Sequence, residues 1–175
     1  MSSQFSKIRS LTRHMRLPVI GSPMFIVSNP RLVIEQCKHG IIGSFPALNA
    51  RGSNGESTLD EWLTLIKEEL SDGTYPTYAV NQIVHPTNKR LYDDTKTIVK
   101  HKVPLVITSL GVRTEIIDAV HSYGGAVFHD VTTNTFAKKA VSRGVDGLIA
   151  VAAGAGGHAG NQSPFALVEE IRSWY

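Results

Sequence analysis

Three short apolar stretches in the second half of the chain decide the fold: VPLVIT at 103–108, AVFH at 126–129 and GLIAV at 147–151. They are spaced about 21 residues apart, and each is preceded by an amphipathic segment that closes on Gly or Lys. Strands that are apolar on both faces are typical of a parallel sheet covered by helices. The repeat therefore predicts alternating strands and helices of the α/β class.

The helices between these strands are predicted from apolar residues at helical spacing. One helix carries Ile116, Ile117, Val120 and Tyr123, and the next carries Phe136, Ala137, Ala140 and Val141. Farther upstream, Thr58 and Glu61 have the spacing of a capping box. The helix that they open should bury one face formed by Leu59, Trp62, Leu63, Ile66 and Leu70.

The N-terminal half continues the same alternation. Strands are predicted at Leu17 to Met24, at Ile41 to Phe45 and around Tyr78 to Gln82, with a helical segment around Leu32 to Cys37. The last helix should open with Ser163 as N-cap and Pro164 in its first turn. The count is about six strands, each followed by a helix.

The amino-acid composition excludes several classes of protein and partner. With 175 residues, 42% hydrophobic and 19% charged, the chain should fold as one globular domain over residues 1–175. A net charge of +3 and only 7% aromatic residues argue against a nucleic-acid partner. No apolar run approaches the roughly 18 residues of a membrane span, so no membrane partner is expected. The lone Cys37 rules out an internal disulfide and favours a cytoplasmic location.

The first twenty residues hold much of the positive charge, at Lys7, Arg9, Arg13 and Arg16. Such a segment could be an organelle transit peptide. The helical spacing of Phe5, Ile8, Leu11 and Met15 favours a basic helix packed on the body instead.

Two architectures make such arrays, an open doubly wound sheet and a closed barrel. Gly154, Gly156 and Ala159 match a loose dinucleotide-binding fingerprint, but it follows the last strand rather than the first, and no helix opens directly on it. We therefore predict a TIM (β/α)8 barrel. Because such a barrel has eight strands and typically about 250 residues, it is incomplete here, with the C-terminal units missing. The chain should be the N-terminal part of a longer one, with the rest of the barrel supplied by the same or another chain.

Polar and small residues follow the predicted strands, where a barrel places its chemistry. The tips are Gly21 to Phe25, Asn81-Gln82, Thr108-Ser109, His129-Asp130 and the run Ala153 to Gly160. The last run is a glycine-alanine loop with one imidazole, His158. Its backbone could approach a flat ligand closely because bulky side chains are absent.

The segments Pro18 to Met24, Ala79-Val80-Asn81 and Ala155-Gly156-Gly157-His158-Ala159-Gly160 together resemble the nitronate monooxygenase family, formerly called 2-nitropropane dioxygenases. The resemblance covers the chain from about Leu17 to the end. It implies an FMN-dependent barrel enzyme that oxidises alkyl nitronates with O₂ to a carbonyl compound and nitrite. A nitronate or nitroalkane would then be the substrate, and a homo-oligomer is possible.

The resemblance also implies roles for individual residues. His158 matches the histidine of the family's A-G-G-H-x-G loop and would act at the substrate. Ser22, Pro23 and Met24 would lie against the isoalloxazine ring with backbone N–H groups facing it, and Gly157 would let the loop approach the flavin. Asn81 would both donate to and accept from the polar edge of the flavin.

The chain departs from the family at two of these positions. Gly154 replaces an acidic residue that many relatives carry, and Asp130 stands at a flavin-side position where some relatives have Lys. An Asp there would not stabilise a reduced anionic ring as a Lys would.

Two other functions remain open, and no metal site is expected. A flavin-dependent enoyl-acyl-carrier-protein reductase would share the barrel and the loop and take electrons from NADH. A non-catalytic flavin-binding or interaction fragment would account for an incomplete barrel. His129 is expected to be a barrel-interior histidine with a satisfied hydrogen bond, and no histidines have the spacing of metal ligands.

Overall fold

The computed structural model describes residues 2–52 and 58–175, with side chains from Lys7 onward. The side chain of Phe5, one of the residues at helical spacing, lies outside the described part.

Five parallel strands form one sheet whose order in space is their order in sequence. They are β1 (Gly43–Pro46), β2 (Tyr78–Ile83), β3 (Leu105–Ser109), β4 (Ala126–Val131) and β5 (Gly147–Ala150). A doubly wound sheet reverses its strand order at a switch point, and this sheet does not. Right-handed crossovers in one direction place the helices on one face, as a barrel wall requires.

Helices alternate with the strands as the sequence predicts. They are α1 (Ser2–Leu11), α2 (Pro30–Lys38), α3 (Leu59–Glu69), α4 (Leu91–His101), α5 (Thr114–His121), α6 (Asn134–Ser142) and α7 (Pro164–Arg172), with a 3₁₀ turn at Ala47–Asn49. Helix α7 begins at Pro164, as expected. None of the helices in the described ranges has the length and apolar character needed to cross a bilayer.

The first predicted strand, Leu17 to Met24, is wrong as a full strand. It is reduced to one parallel bridge between Ile20 and Ile42 beside β1. The prolines at 18 and 23 flank this bridge, and proline has no N–H to extend a ladder. The sheet therefore has five strands and one bridge rather than six strands.

The two faces of the sheet are packed differently. The face under the helices holds the main core, which includes Phe45, Val80, Val106 and Val127. The opposite face carries a smaller apolar cluster near the amino ends of the strands: Ile42, Ala79, Leu105, Ile107 and Ala126. Leu11 and Met15 pack on that cluster, so the basic N-terminal helix lies on the body as predicted and covers the amino end.

Two local predictions on the helices are wrong. The Thr58 hydroxyl makes no capping hydrogen bond and has no partner among the described residues, because its backbone (ψ 11°) is not extended as an N-cap requires. Phe136 is 54% exposed, so it does not pack under α6, although Ala137 and Ala140 are buried. The burial predicted for α3 is confirmed, with Leu59 and Leu63 fully buried.

Candidate active site

The carboxyl ends of β2, β3 and β4 carry a hydrogen-bonded cluster of three side chains, which we call the strand-end cluster: Asn81, Ser109 and Asp130. The Asn81 Nδ2 donates to Ser109 Oγ at 2.7 Å. Ser109 Oγ in turn donates to Asp130 Oδ2 at 2.5 Å. One continuous chain of hydrogen bonds thus crosses three strands.

The pleat of the sheet explains why these three side chains meet. Asn81 follows Ala79 by two residues, Ser109 follows Ile107, and Asp130 lies four residues after Ala126. Side chains two residues apart along a strand lie on the same face, so all three lie on the face opposite the helices. Pairing of Asn81 with Ile107 sets their relative height. The apolar cluster occupies the amino end of this face and the polar cluster the carboxyl end.

Both N–H hydrogens of the Asn81 amide donate to acceptors within the protein. Its Nδ2 donates one hydrogen to the Ile107 carbonyl at 3.0 Å and the other to Ser109. The reverse orientation of the amide would set two carbonyl oxygens against each other, so the Ile107 carbonyl decides the orientation. No donor in the described ranges reaches Asn81 Oδ1. Asn81 can therefore accept from a ligand but cannot donate to it, which corrects the prediction of both roles.

Asp130 is a carboxyl group without a cationic partner in the described part of the chain. Burial raises the pKa of Asp130 above its usual value, and the hydrogen bond from Ser109 opposes this increase. The Ser109 bond occupies only Oδ2. The second oxygen, Oδ1, has no partner among the described residues, so it is the atom that a ligand would meet.

His129, next to Asp130 on β4, lies on the helix-covered face and not in the barrel interior as expected. Its Nδ1 is 2.7 Å from Thr108 Oγ1. Burial lowers the pKa of His129 below its usual value, so a neutral imidazole is favoured. The predicted hydrogen bond is present, but this histidine does not belong to the site.

The turn at Ser22 to Met24 follows the Ile20 bridge at the same end of the sheet. Pro23 has no N–H, and the Met24 N–H donates to Ser28 Oγ at 2.9 Å. Of the two N–H groups in this turn, only that of Ser22 has no partner within the described ranges. The expectation of several N–H groups facing a ligand is thus wrong for this turn, although the Met24 side chain is exposed.

Two residues that were not predicted from the sequence, Asn49 and Ser28, hold this turn in place. Asn49 Nδ2 donates to the carbonyl oxygens of Met24 and Ser28 at 3.0 and 2.9 Å. Asn49 Oδ1 accepts from the N–H of Ile26, whose φ of 69° is uncommon for a β-branched residue. Ser28 is fully buried. The sequence signal for Asn49 is weak, because it lies on a different loop 21 residues after Ser28.

The residues Ala153 to Gly160 form the loop after β5, which we call the glycine loop. Gly154 and Gly157 have φ of +89° and +74°, which glycine adopts without strain. A Cβ added at Gly154, Gly156 or Gly157 would meet nothing within 4 Å, so the backbone faces open space. His158 is exposed, and no hydrogen bond in the described ranges joins it to the strand-end cluster. The structure brings Asn81 and Asp130 together and leaves His158 on a neighbouring loop.

No protein-family model matches the sequence, and no curated protein matches it. Solved structures do. FabK from Thermotoga maritima is 22% identical, with a TM-score of 0.79 over 95% of this chain and 50% of its own. A nitroalkane oxidase from Streptomyces ansochromogenes is 21% identical, with a TM-score of 0.77 over 94% of this chain and 57% of its own. A mandelate oxidase variant with its monooxide FMN adduct is 14% identical, with a TM-score of 0.58 over 91% and 54%.

The chain therefore spans about half the length of the solved structures that it matches. At these identities the likeness concerns the fold. This likeness agrees with the sequential order of the parallel strands. The prediction of an incomplete TIM (β/α)8 barrel is therefore confirmed.

Proposed function

We propose that this chain forms the flavin-ring side of an FMN-dependent oxidoreductase. The observation that carries the proposal is the strand-end cluster on the interior face of a partial barrel, at the end of the sheet that also holds the glycine loop. TIM-barrel enzymes place their active sites at this end. At the opposite end, Leu11 of α1 and the following Met15 pack on the apolar cluster.

The residues present fit a flavin ring. The pyrimidine edge of oxidised flavin offers one N–H donor between two carbonyl acceptors. Asn81 Oδ1 is an acceptor without a partner among the described residues and suits that N–H. The open backbone of the glycine loop, with Gly157, allows close approach to a planar ring. Ser22, Pro23 and Met24 offer an exposed surface at the same end, and Asp130 supplies a second polar contact.

The proposed reaction is oxidation of an alkyl nitronate by O₂ to a carbonyl compound and nitrite. When bound, FMN would accept electrons from the substrate and pass them to O₂. His158 would hold the anionic nitronate as imidazolium, or take a proton from a nitroalkane as neutral imidazole. The family resemblance of the loop supports this assignment, as does the similarity to a nitroalkane oxidase.

The rest of the barrel is part of the proposal. The described sheet has five strands and one bridge, whereas a closed barrel of this type has eight strands. Further βα units, from the same chain or another, would complete the wall and supply groups for the FMN phosphate. A homo-oligomer is compatible with this arrangement.

The test is to purify the protein, add FMN, and measure nitrite release from ethyl nitronate in air. We expect bound flavin absorption, turnover, and a loss of about 10²- to 10⁴-fold in kcat/KM for His158→Ala. His39→Ala is the matched control, because His39 is exposed at the opposite end of the sheet. Equal turnover by wild type and His158→Ala would contradict the role of His158.

The alternative functions give different results in the same assay. NADH-dependent reduction of an enoyl thioester without nitrite release would identify an enoyl-acyl-carrier-protein reductase. A folded protein that binds flavin but turns over neither substrate would be a non-catalytic flavin-binding fragment. A folded protein that binds no flavin would overturn the proposed function.

A further inference from the structure

The strand-end cluster has a direction that follows from its donors. Both hydrogens of the Asn81 amide are used, one on the Ile107 carbonyl and one on Ser109 Oγ. Since Ser109 Oγ accepts from Asn81, its own hydrogen is free to point to Asp130 Oδ2, at 2.5 Å. Asp130 Oδ2 is therefore an acceptor. With Oδ2 as the acceptor, a proton bound by this carboxyl group lies on Oδ1, the oxygen without a partner in the described ranges.

No charged group balances Asp130 within the described ranges. Ser109 from β3 bonds to it directly, Asn81 from β2 lies one bond farther, and Ile149 is its register partner on β5. His129 is next to Asp130 in sequence but lies on the other face of β4, and His158 is exposed on the glycine loop. Neither forms an ion pair with Asp130. Burial of an unbalanced carboxylate is costly, so this position favours the neutral acid more than an exposed position does.

We propose that Asp130 acts as a neutral acid whose Oδ1–H donates a hydrogen bond to a carbonyl oxygen of the flavin pyrimidine edge. Asn81 Oδ1 accepts the hydrogen bond from the neighbouring ring N–H. The inference rests on the proposed function, because it assumes that a flavin binds at this end of the sheet. An acceptor on Asn81 and a donor on Asp130 are the two kinds of group that an imide edge requires, because such an edge has a carbonyl next to an N–H. Binding of oxidised flavin is then linked to uptake of a proton wherever free Asp130 is ionised.

This arrangement differs chemically from a lysine at the same position. A lysine donates at every physiological pH and adds a positive charge, whereas a carboxylic acid donates only while it holds its proton. The raised pKa of Asp130 extends the pH range over which the donor is present. The affinity for flavin should therefore fall as the pH rises.

The experiment measures the dissociation constant of riboflavin by quenching of its fluorescence between about pH 5 and pH 9. Riboflavin is the probe because it has the flavin ring without the FMN phosphate, whose own ionisation falls in this range. For the wild-type protein we expect the affinity to fall by up to about tenfold per pH unit above the pKa of Asp130. Asp130→Asn should bind with an affinity that does not depend on pH.

Three further variants make the result specific. Asp118→Asn, which changes an exposed carboxylate on α5, should keep the wild-type pH profile. His158→Gln should keep it as well, because the linked proton belongs to Asp130. Ser109→Ala removes the hydrogen bond that stabilises the carboxylate, so its fall in affinity should move to higher pH. This last variant also tests the inference if Asp130→Asn does not fold.

The outcomes separate this inference from the proposed function. Flavin binding with no pH dependence, or with the same pH dependence in Asp130→Asn, would overturn the role of Asp130 and leave the flavin site standing. Loss of the pH dependence in His158→Gln would assign the proton to His158 and also overturn it. A folded wild-type protein that binds neither riboflavin nor FMN at any pH would overturn both.

Discussion

The strand-end cluster and the glycine loop lie at the same end of the sheet but are built in different ways. Asn81 and Ser109 are buried, and each is tied to a neighbouring strand by a side-chain hydrogen bond. His158 is exposed on a loop held by hydrogen bonds between backbone groups, such as that from Gly160 N–H to the Val151 carbonyl at 2.9 Å. The sheet preorganises the groups that would recognise a ring. In the loop, the His158 side chain, which is proposed to act at the substrate, is not fixed by a hydrogen bond in the described ranges. Functional side chains are commonly carried by such loops on a rigid scaffold.

Removing the Asn81 amide should give the largest effect on stability. Asn81→Leu removes the donor to Ser109 Oγ and the side-chain donor to the Ile107 carbonyl in a buried place. We expect the free energy of unfolding to fall by about 2–3 kcal/mol, measured by urea denaturation. Asn161→Leu, at an exposed position beside the glycine loop, is the control and should change it by less than about 0.5 kcal/mol. Equal effects at both positions would remove the distinction between cluster and loop.

Within the glycine loop, backbone conformation should decide the sign of a glycine substitution. Gly157→Ala places a Cβ on a residue with φ of +74°, and this should cost about 1 kcal/mol in the free energy of unfolding. Gly156→Ala meets neither a positive φ nor a neighbouring atom. It should be neutral or stabilising by up to about 1 kcal/mol, because alanine restricts the unfolded chain. Urea unfolding of the pair checks this, and a larger loss at Gly156 would contradict it.

Asp130 should make stability depend on pH in a direction opposite to that of a salt-bridged aspartate. Its pKa in the folded protein lies above the ordinary 3.8 because of burial, so the folded state keeps a proton that the unfolded state has released. The free energy of unfolding therefore falls as the pH rises from the unfolded-state pKa through the folded-state pKa, and stays level above it.

The variant Asp130→Asn cannot ionise and should lose this contribution. Relative to wild type, its free energy of unfolding should increase across that pH window, to a gain below about 1 kcal/mol at neutral pH. Urea unfolding of both proteins at several pH values measures the difference, in which the other carboxyl groups cancel. A variant less stable than wild type at neutral pH would show that the ionised carboxylate is the stabilising form.

His158 should have the smallest effect on stability, although it is proposed to matter most for turnover. His158→Ala removes an exposed side chain and should change the free energy of unfolding by less than about 0.5 kcal/mol. His121→Ala removes a 2.7 Å bond from Nε2 to the buried Asp146 and should cost about 1 kcal/mol or more. Thermal or urea unfolding of both variants tests the contrast. A large loss of stability in His158→Ala would mean that the loop histidine is structural.

Much of the fold follows from local patterns. The runs at 103–108, 126–129 and 147–151 coincide with β3, β4 and β5. Strands buried on both faces, such as β3, must be largely apolar, whereas β5 is only partly buried. The strand predicted at Leu17 fails, because pairing at a sheet edge depends on the neighbour and on the flanking prolines. The cap at Thr58 fails for a related reason, since a capping sequence does not specify the backbone angle.

The candidate site divides in the same way. The sequence places Asn81, Asp130 and the glycine loop at the carboxyl ends of parallel strands, because motif position and strand direction are both local properties. It does not reveal that Ser109 joins Asn81 to Asp130, or that Asn49 holds the turn at Met24. Those contacts link residues that are 21 to 28 positions apart and depend on the register of neighbouring strands.

The sequence by itself determined the alternation of strands and helices, the polar end of the sheet and the glycine loop with His158, because each depends on residues close together in the chain. Only the tertiary structure decided which atoms of that end remain free. In the folded chain, both hydrogens of the Asn81 amide and the Met24 N–H donate to acceptors within the protein. Asn81 Oδ1 and one Asp130 oxygen have no partners in the described ranges. The physical reason is that a hydrogen bond uses up a donor, and the neighbour that uses it is set by strand register rather than by sequence distance.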